Sequence, residues 1–372
     1  MRKRILVLFG TRPEAIKLFP VIKRLQAHST IEVVVCVTAQ HREMLDQVLD
    51  LANIKPDFDL DLMRSNQSLE LLSARILLAV GETLDQVRPD RVVVQGDTAT
   101  AMIGALAAYY KRIPVGHVEA GLRSGDIYAP WPEEVNRKIV TTIADQHYAP
   151  TQRAAEALLT ENVPKNRIHV TGNTVVDALL ETKKLIEAAP HLINQCSDII
   201  RRQGKRRIIL VTTHRRENFG EGMSRIADAM LGIAERDDVG IVIPMHLNPN
   251  VRDVLSSRLA GQPRIEIIPP QKYADFVSLL LHADIVLTDS GGVQEEAPTF
   301  GKPVLVMRDT TERPEGVIAG TARLVGTNSY RILNETFRLL DDRDEYLAMS
   351  RAHNPFGDGK ASDRILKVIL DD

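Results

Sequence analysis

Short runs of consecutive apolar residues alternate along this chain with longer stretches in which apolar positions recur every three or four residues. In the first half the runs fall at 4–9 (RILVLF), 32–38, 91–95, 114–119 and 169–171. A strand covered on both faces reads as such a run, as in a parallel sheet between two helix layers. The periodic stretches predict helices over 12–27, 42–51, 68–87, 98–110, 133–144 and 152–159. The alternation is that of βαβ units.

A second series starts after Gly172-Asn173. It opens with a helix over 174–188 and a polar stretch holding Pro190 and Gly204. Strands are then expected at 207–212, 240–245, 265–268, 285–288 and 303–307, and helices at 222–235, 251–259, 274–282 and 293–300. The fold class is therefore α/β, with two doubly wound parallel-sheet halves. Ligand sites favour the space where two such halves meet. A last amphipathic stretch at 361–370 could cap either half.

The 372 residues suit two domains. With 47 Lys+Arg and 49 Asp+Glu the net charge is −2. That balance argues against a chain whose main partner is nucleic acid or an anionic membrane, but allows a local pocket for a small anion. Cys36 and Cys196 are too few and too far apart for a disulfide framework, and Cys36 lies in an apolar run like a small buried hydrophobe. The N-terminal apolar run is too short for a signal peptide, and no stretch approaches the length of a membrane span. A cytoplasmic protein is expected, without membrane insertion. No Cys/His spacing suggests a metal.

The candidate chemistry sits where runs end and helices begin. Gly10-Thr11-Arg12-Pro13-Glu14-Ala15-Ile16-Lys17 follows the first strand. Arg12 and Lys17 beside free helix-start amides make an anion site, although two solvated cations are the plainer reading. Gln95-Gly96-Asp97-Thr98 ends another strand, and Asp97 or Thr98 could equally be an N-cap. In Gly116-His117-Val118-Glu119 the alternation of an extended chain puts His117 and Glu119 on one face, and an ion pair of Glu119 with Arg123 is the plainer alternative. Pro130-Trp131-Pro132-Glu133-Glu134 places acids at a helix start, where they are favourable in any case. Converging acids at Asp97, Glu119 and Glu133 would supply general acid and base groups.

In the second half, His214-Arg215-Arg216 ends a strand and suits a phosphate or a leaving-group oxygen. His246 ends the next. Thr288-Asp289-Ser290-Gly291-Gly292-Val293 runs from a strand into a helix, with two glycines that let a phosphate approach the backbone. Glu296, about one turn on, is placed to hold a ribose hydroxyl pair. Arg308 and Arg313 add charge, while Gln271 and Phe276 could hold and stack on a base.

Taken together, GTRPEAIKL, TAQHREMLDQ, GDTAT, GHVEAGLRS, PWPEEVNR, VTGNTVVDAL, THRRENFG, TDSGGVQEEAP and RPEG, in this order from roughly Arg4 to Gly316, resemble the non-hydrolysing UDP-N-acetylglucosamine 2-epimerases. The resemblance implies a glycosyltransferase B-type fold: Rossmann-like domains at 1–172 and 173–355, and a C-terminal helix, 356–372, crossing back to the first. It implies that Arg12, Lys17, Gln271, Phe276, Ser290, Gly291, Gly292, Glu296 and Arg313 hold the nucleotide diphosphate, and that Asp97, Glu119, Glu133 and His214 are catalytic. The implied reaction inverts C2 of UDP-N-acetylglucosamine to give UDP-N-acetylmannosamine, by anti elimination of UDP to 2-acetamidoglucal and syn re-addition, with no cofactor.

Some family members carry an activator site for a second UDP-N-acetylglucosamine. Gln40, His41, Arg215 and His246 resemble its wall, whereas Glu43 and Asn66 differ from what activated members lead one to expect. A homodimer and a role in surface-polysaccharide supply are further implications of the resemblance. The competing readings are a hydrolysing relative that releases free N-acetylmannosamine and UDP, a glycosyltransferase of the same fold, and a nucleotide-sugar sensor.

Overall fold

The computed structural model describes residues 2–39, 42–64 and 67–372 and forms two compact units. Gln40, His41 and Asn66 lie outside the described residues, as does the side chain of Glu43. The first unit comprises Met1–Ala178 and Phe356–Asp372, the second Leu179–Pro355. The helix Thr174–Ala188 thus begins in one unit and ends in the other, past the boundary expected at Gly172.

The first unit is built on strands β1 (Lys3–Phe9), β2 (Ile31–Val37), β3 (Phe58–Asp59), β4 (Arg91–Gln95), β5 (Val115–Val118), β6 (Gln146–Ala149) and β7 (Ile168–Val170). They lie in the order β3-β2-β1-β4-β5-β6-β7, and every pair is parallel. Ile5 through Phe9 are each fully buried, which is why β1 reads as an unbroken apolar run. Gly104 brings the helix Ala99–Tyr110 down onto this strand, since a Cβ there would stand 2.2 Å from Leu8 Cδ2. The order reverses between β1 and β4, and the crevice outside the carboxyl ends of those strands is where open α/β sheets bind ligands.

The second unit repeats the plan with β8 (Arg207–Thr212), β9 (Val239–Pro244), β10 (Ile265–Ile268), β11 (Ile285–Thr288), β12 (Val304–Val306) and β13 (Ala322–Leu324). The order is β10-β9-β8-β11-β12-β13, all parallel, with its reversal between β8 and β11. Two doubly wound parallel sheets are the α/β class that the apolar runs predict.

Several elements escape the sequence pattern. β6 is Gln-His-Tyr-Ala, polar by composition yet buried at every position, with the Tyr148 hydroxyl donating to the Gln146 side chain inside the sheet. β3 is only two residues long, and β13 is short and half-buried. The helices Asn194–Gln203, Ser329–Asp341 and Arg343–Ser350 lie in stretches the pattern left unassigned.

The last helix, Ala361–Leu370, belongs to the first unit and packs on the helix Arg12–Gln26. The Asp177 carboxylate accepts from the amides of Ala361 (3.2 Å) and Ser362 (2.8 Å), and Arg364 donates to the Thr171 carbonyl at 2.9 Å. Helix-start amides otherwise lack partners, so a buried acid from Thr174–Ala188 fixes this helix on its unit. Cys36 and Cys196 are both free and buried, and burial pushes their thiols up to about 12 and about 11. Among the described residues no helix is long and apolar enough to cross a membrane, and no group of three or more His, Cys, Asp or Glu is placed to hold a metal ion.

Candidate functional site

In the first unit the candidate residues collect at the carboxyl ends of β1, β4 and β5, three adjacent strands flanking the reversal of order. The helix Arg12–Gln26 opens on a capping box, with Thr11 as N-cap and Glu14 reaching back to the cap's own amide. Glu14 is 1% exposed and accepts from Gly10 N (3.0 Å), Thr11 N (2.8 Å) and the Thr11 hydroxyl (2.8 Å). Its other oxygen accepts from the Thr98 hydroxyl at 2.7 Å. Arg12 is half-buried in the same turn.

The turn Gly96-Asp97-Thr98 is held at every peptide. Gly96 adopts a φ of 69°, and its carbonyl lies 2.8 Å from His117 Nε2. The carbonyl of Asp97 accepts from the Asn136 side chain at 2.8 Å. The Asp97 carboxylate accepts from Arg137 through Nε at 2.9 Å and through a terminal nitrogen at 2.6 Å. Thr98 is the N-cap of the helix that follows, accepting from Ala101 N at 3.0 Å, so the cap falls to Thr98 and leaves Asp97 to Arg137.

Glu119 departs from the extended alternation expected of it. β5 ends at Val118, and Glu119 turns to a φ of 64°, left-handed and uncommon for a residue with a side chain. Its carboxylate, 9% exposed, is held by Lys17 on one oxygen and by the Gln95 side chain on the other. The Glu119–Arg123 pair does not form, because Arg123 donates to Glu161 at 2.8 and 2.7 Å. Lys17 accordingly meets an acid rather than standing in open solvent. Glu133 is the first residue of the helix Glu133–Ile143, and its Oε2 is buried with no hydrogen-bond partner. Its neighbour Glu134, fully buried, gathers the amides of Ser124 (3.1 Å) and Gly125 (3.3 Å) and pairs with Arg137 at 3.0 Å.

His117 carries a consequence for stability. Burial pushes its imidazole down to about 3, against the pull of the Gly96 carbonyl, and its Nδ1 is buried without a partner. A depressed base favours the neutral ring in the folded state, so its contribution is full above the ordinary value of 6.5 and is lost as pH falls toward 3. Between pH 6.5 and about 4.5 that is roughly 2 kcal/mol. Glu14, raised to about 7 mainly by burial, acts in the opposite sense, its cost growing as pH rises from 4.5 toward 7. Urea unfolding at pH 7.5 and 4.5 should show a smaller acid loss in His117→Gln, which keeps a donor for Gly96. Equal losses in both proteins refute the assignment.

In the second unit His214, Arg215, Ser290, Gly291, Gly292 and Glu296 follow β8 and β11, again at the reversal, whereas His246 follows β9, Gln271 and Phe276 follow β10, and Arg308 and Arg313 follow β12. Asp289, fully buried, organises the loop after β8. It accepts from the Thr213 hydroxyl (2.7 Å), His214 N (3.0 and 3.1 Å), Arg215 N (3.0 Å) and the Asn218 side chain (3.0 Å). His214 Nδ1 stands 3.5 Å from the same carboxylate, and its ring stacks on that of exposed His246 at 5.3 Å. Burial lowers the His214 pKa below its ordinary value, and Asp289 only partly offsets this, so the resting ring is neutral rather than cationic.

Ser290 caps the short helix Gly291–Glu296 without a side-chain bond to it. A Cβ at Gly291 would meet only Arg215 at 3.5 Å, and one at Gly292 only Glu296 and Ser290, both at 3.9 Å. Internal packing therefore does not demand these glycines, since a Cβ would make only ordinary contacts with neighbouring side chains. The helix expected at 293–300 is instead this short helix followed by a tighter turn, Ala297–Phe300. Glu296, Gln271 and Phe276 are half-buried, and Gln271 donates to the Pro269 carbonyl. Arg313 pairs with Glu295 and Arg308 with Glu217.

Sequence reasoning passed over Glu14, Gln95, Arg137 and Asp289, although all four stand in or beside the quoted motifs. The available signal was their neighbourhood alone, because their partners are distant in the chain.

The family model described as UDP-N-acetylglucosamine 2-epimerase matches residues 23–370. A probable UDP-N-acetylglucosamine 2-epimerase of Ralstonia solanacearum is 54% identical over 369 residues, covering 99% of this chain and 98% of that protein. The UDP-N-acetylglucosamine 2-epimerase of Escherichia coli K12 is 52% identical over 368 residues, with 98% of each covered. The crystal structure of the Neisseria meningitidis enzyme bound to UDP-GlcNAc superposes with a TM-score of 0.89 at 45% identity, over 99% of this chain and 100% of that one. The likeness to Acinetobacter baumannii MurG (TM-score 0.59, 15% identity, all of both chains) concerns the fold alone.

Proposed function

The chain belongs to the UDP-N-acetylglucosamine 2-epimerase family, and from that premise we propose that it interconverts UDP-N-acetylglucosamine and UDP-N-acetylmannosamine without releasing free sugar. The observation that carries this reading is the acid set of the first unit: Asp97 and Glu119 at the ends of adjacent strands, each held by cationic or amide groups, and Glu133 with an unpartnered buried oxygen.

The C2 proton of this sugar is not acidic, since no carbonyl adjoins it. Loss of UDP from C1 first gives oxocarbenium character, after which a carboxylate can take the proton. Asp97 is our choice of base, and Glu119 and Glu133 are reprotonating or orienting groups. In the second unit Ser290, Gly291 and Gly292 offer backbone to the diphosphate, while Glu296, Gln271 and Phe276 serve the nucleoside. Arg12, Arg313 and Lys17 are the cations assigned to the diphosphate, although Lys17 and Arg313 rest on Glu119 and Glu295. With Nδ1 facing Asp289, His214 would donate from Nε2 to the leaving oxygen once it takes up a proton as the diphosphate anion arrives. UDP stays bound while the glucal is reprotonated, so firm diphosphate capture serves the chemistry. Supply of activated N-acetylmannosamine to surface polysaccharide and a homodimeric state are carried over from the family resemblance.

Incubation with UDP-N-acetylglucosamine in deuterated water is the test. UDP-N-acetylmannosamine with deuterium at C2 and no accumulation of free UDP is the expected result. Free N-acetylmannosamine with equimolar UDP would instead make the chain a hydrolysing epimerase.

A further inference from the structure

We propose that Glu14 is a positioning residue for the acids: it ties the turn Gly96-Asp97-Thr98 to the turn that opens the helix Arg12–Gln26. The inference rests on the epimerase reading above. A capping-box glutamate has only to reach its own N-cap, and on an exposed helix start it does so in water. Glu14 does more. It is 1% exposed, and the acceptor left over from the box takes the Thr98 hydroxyl, from a loop 84 residues away.

That hydroxyl is fixed from both sides. It donates to Glu14 at 2.7 Å and accepts from Ala101 N at 3.0 Å, which holds its oxygen between the two segments. Asp97 precedes it directly. Its side chain is aimed by Arg137, its carbonyl by Asn136, and the carbonyl before it by His117. Glu14 is the member of this frame that lies on the segment carrying Arg12 and Lys17. Three residues further along the same helix Lys17 holds Glu119, so one helix face touches both acid-bearing loops. A carboxylate kept this far from water is expensive, and burial raises it to about 7 despite four donors. Helix capping alone, which Thr11 already provides, does not require that cost.

The experiment is steady-state turnover of UDP-N-acetylglucosamine by the full chain and its variants. Glu14→Ala should lower kcat about 100-fold, the scale of a misplaced reacting group, with KM within about 3-fold of the unaltered protein. Glu14→Gln keeps an acceptor for Gly10 and Thr11 and lets the Thr98 hydroxyl turn to accept from the new amide, so it should recover kcat to within about 10-fold of the unaltered protein. A Glu14→Ala kcat within about 3-fold of normal, a loss that appears in KM alone, or a Gln variant no better than Ala overturns the proposal. Should Glu14→Ala fail to fold, Thr98→Ala and Thr98→Ser read the tie from its other end. Serine should restore what alanine loses in kcat, and equal rates in the two overturn the proposal. No turnover in the unaltered protein overturns the epimerase reading as well, whereas normal turnover there with indifferent variants overturns this inference alone.

Discussion

Asp97→Asn should lower both turnover and C2 deuterium exchange by about 1,000-fold, within the range that a lost general base produces. The substitution is nearly isosteric. Asparagine Oδ1 can still accept from Arg137, and the main chain of residue 97 keeps its bond from Asn136. The turn is also braced through Gly96 and Thr98. Thermal unfolding should therefore move little, and the loss should fall on kcat. What changes is the ability to take up a proton, which an amide oxygen lacks at neutral pH. Undiminished exchange in Asp97→Asn would remove Asp97 as base and move the role to Glu133, whose Oε2 already lies buried without a hydrogen bond. Exchange and turnover should be measured together, because a group needed only for reprotonation slows turnover through a different step.

Asp289→Ala should both abolish activity and destabilise the protein by about 3–5 kcal/mol. The carboxylate is fully buried, and the Thr213 hydroxyl, two consecutive amides and the Asn218 side chain all donate to it. Alanine leaves each of them without an acceptor in a dry site. For a unit of this size such a loss corresponds to a melting temperature lower by on the order of 10 °C. Asp289→Asn keeps the shape and one oxygen, so it should retain most of the stability. It removes the charge beside His214 Nδ1, 3.5 Å away, and should shift the pH dependence of kcat. If Asp289→Ala melts within about 2 °C of the unaltered protein, water has replaced the carboxylate, and the loop after β8 does not depend on it.

These two aspartates mark what the sequence shows and what it withholds. Both stand in motifs that are conspicuous by composition, and Asp97 was legible as a strand-end acid. The importance of Asp289 was not, because its donors come from a loop about seventy-five positions earlier. Glu14 looked like any acid in the first turn of a helix, where the dipole alone would place it. Its second partner, Thr98, is reached only when β1 and β4 lie side by side. Arg137 is hidden for the same reason. The extended pattern that put His117 and Glu119 on one face broke down at a single residue, whose left-handed backbone has no signature in the sequence.

What the sequence determined by itself is the architecture. Parallel strands buried on both faces must be apolar along their length, and amphipathic helices must carry a stripe, so these periods survive in one dimension. The short polar strand β6 escaped because the Tyr148 hydroxyl and the Gln146 side chain satisfy each other inside the sheet rather than in water. The strand-end loops were legible too, since they are where chemistry-bearing residues interrupt the pattern. The tertiary structure alone decided which charges meet: Lys17 with Glu119, Arg137 with Asp97, and Asp289 with the loop of His214. A carboxylate's partners and burial are set by atoms a few ångströms away in space, and one dimension carries no record of that distance.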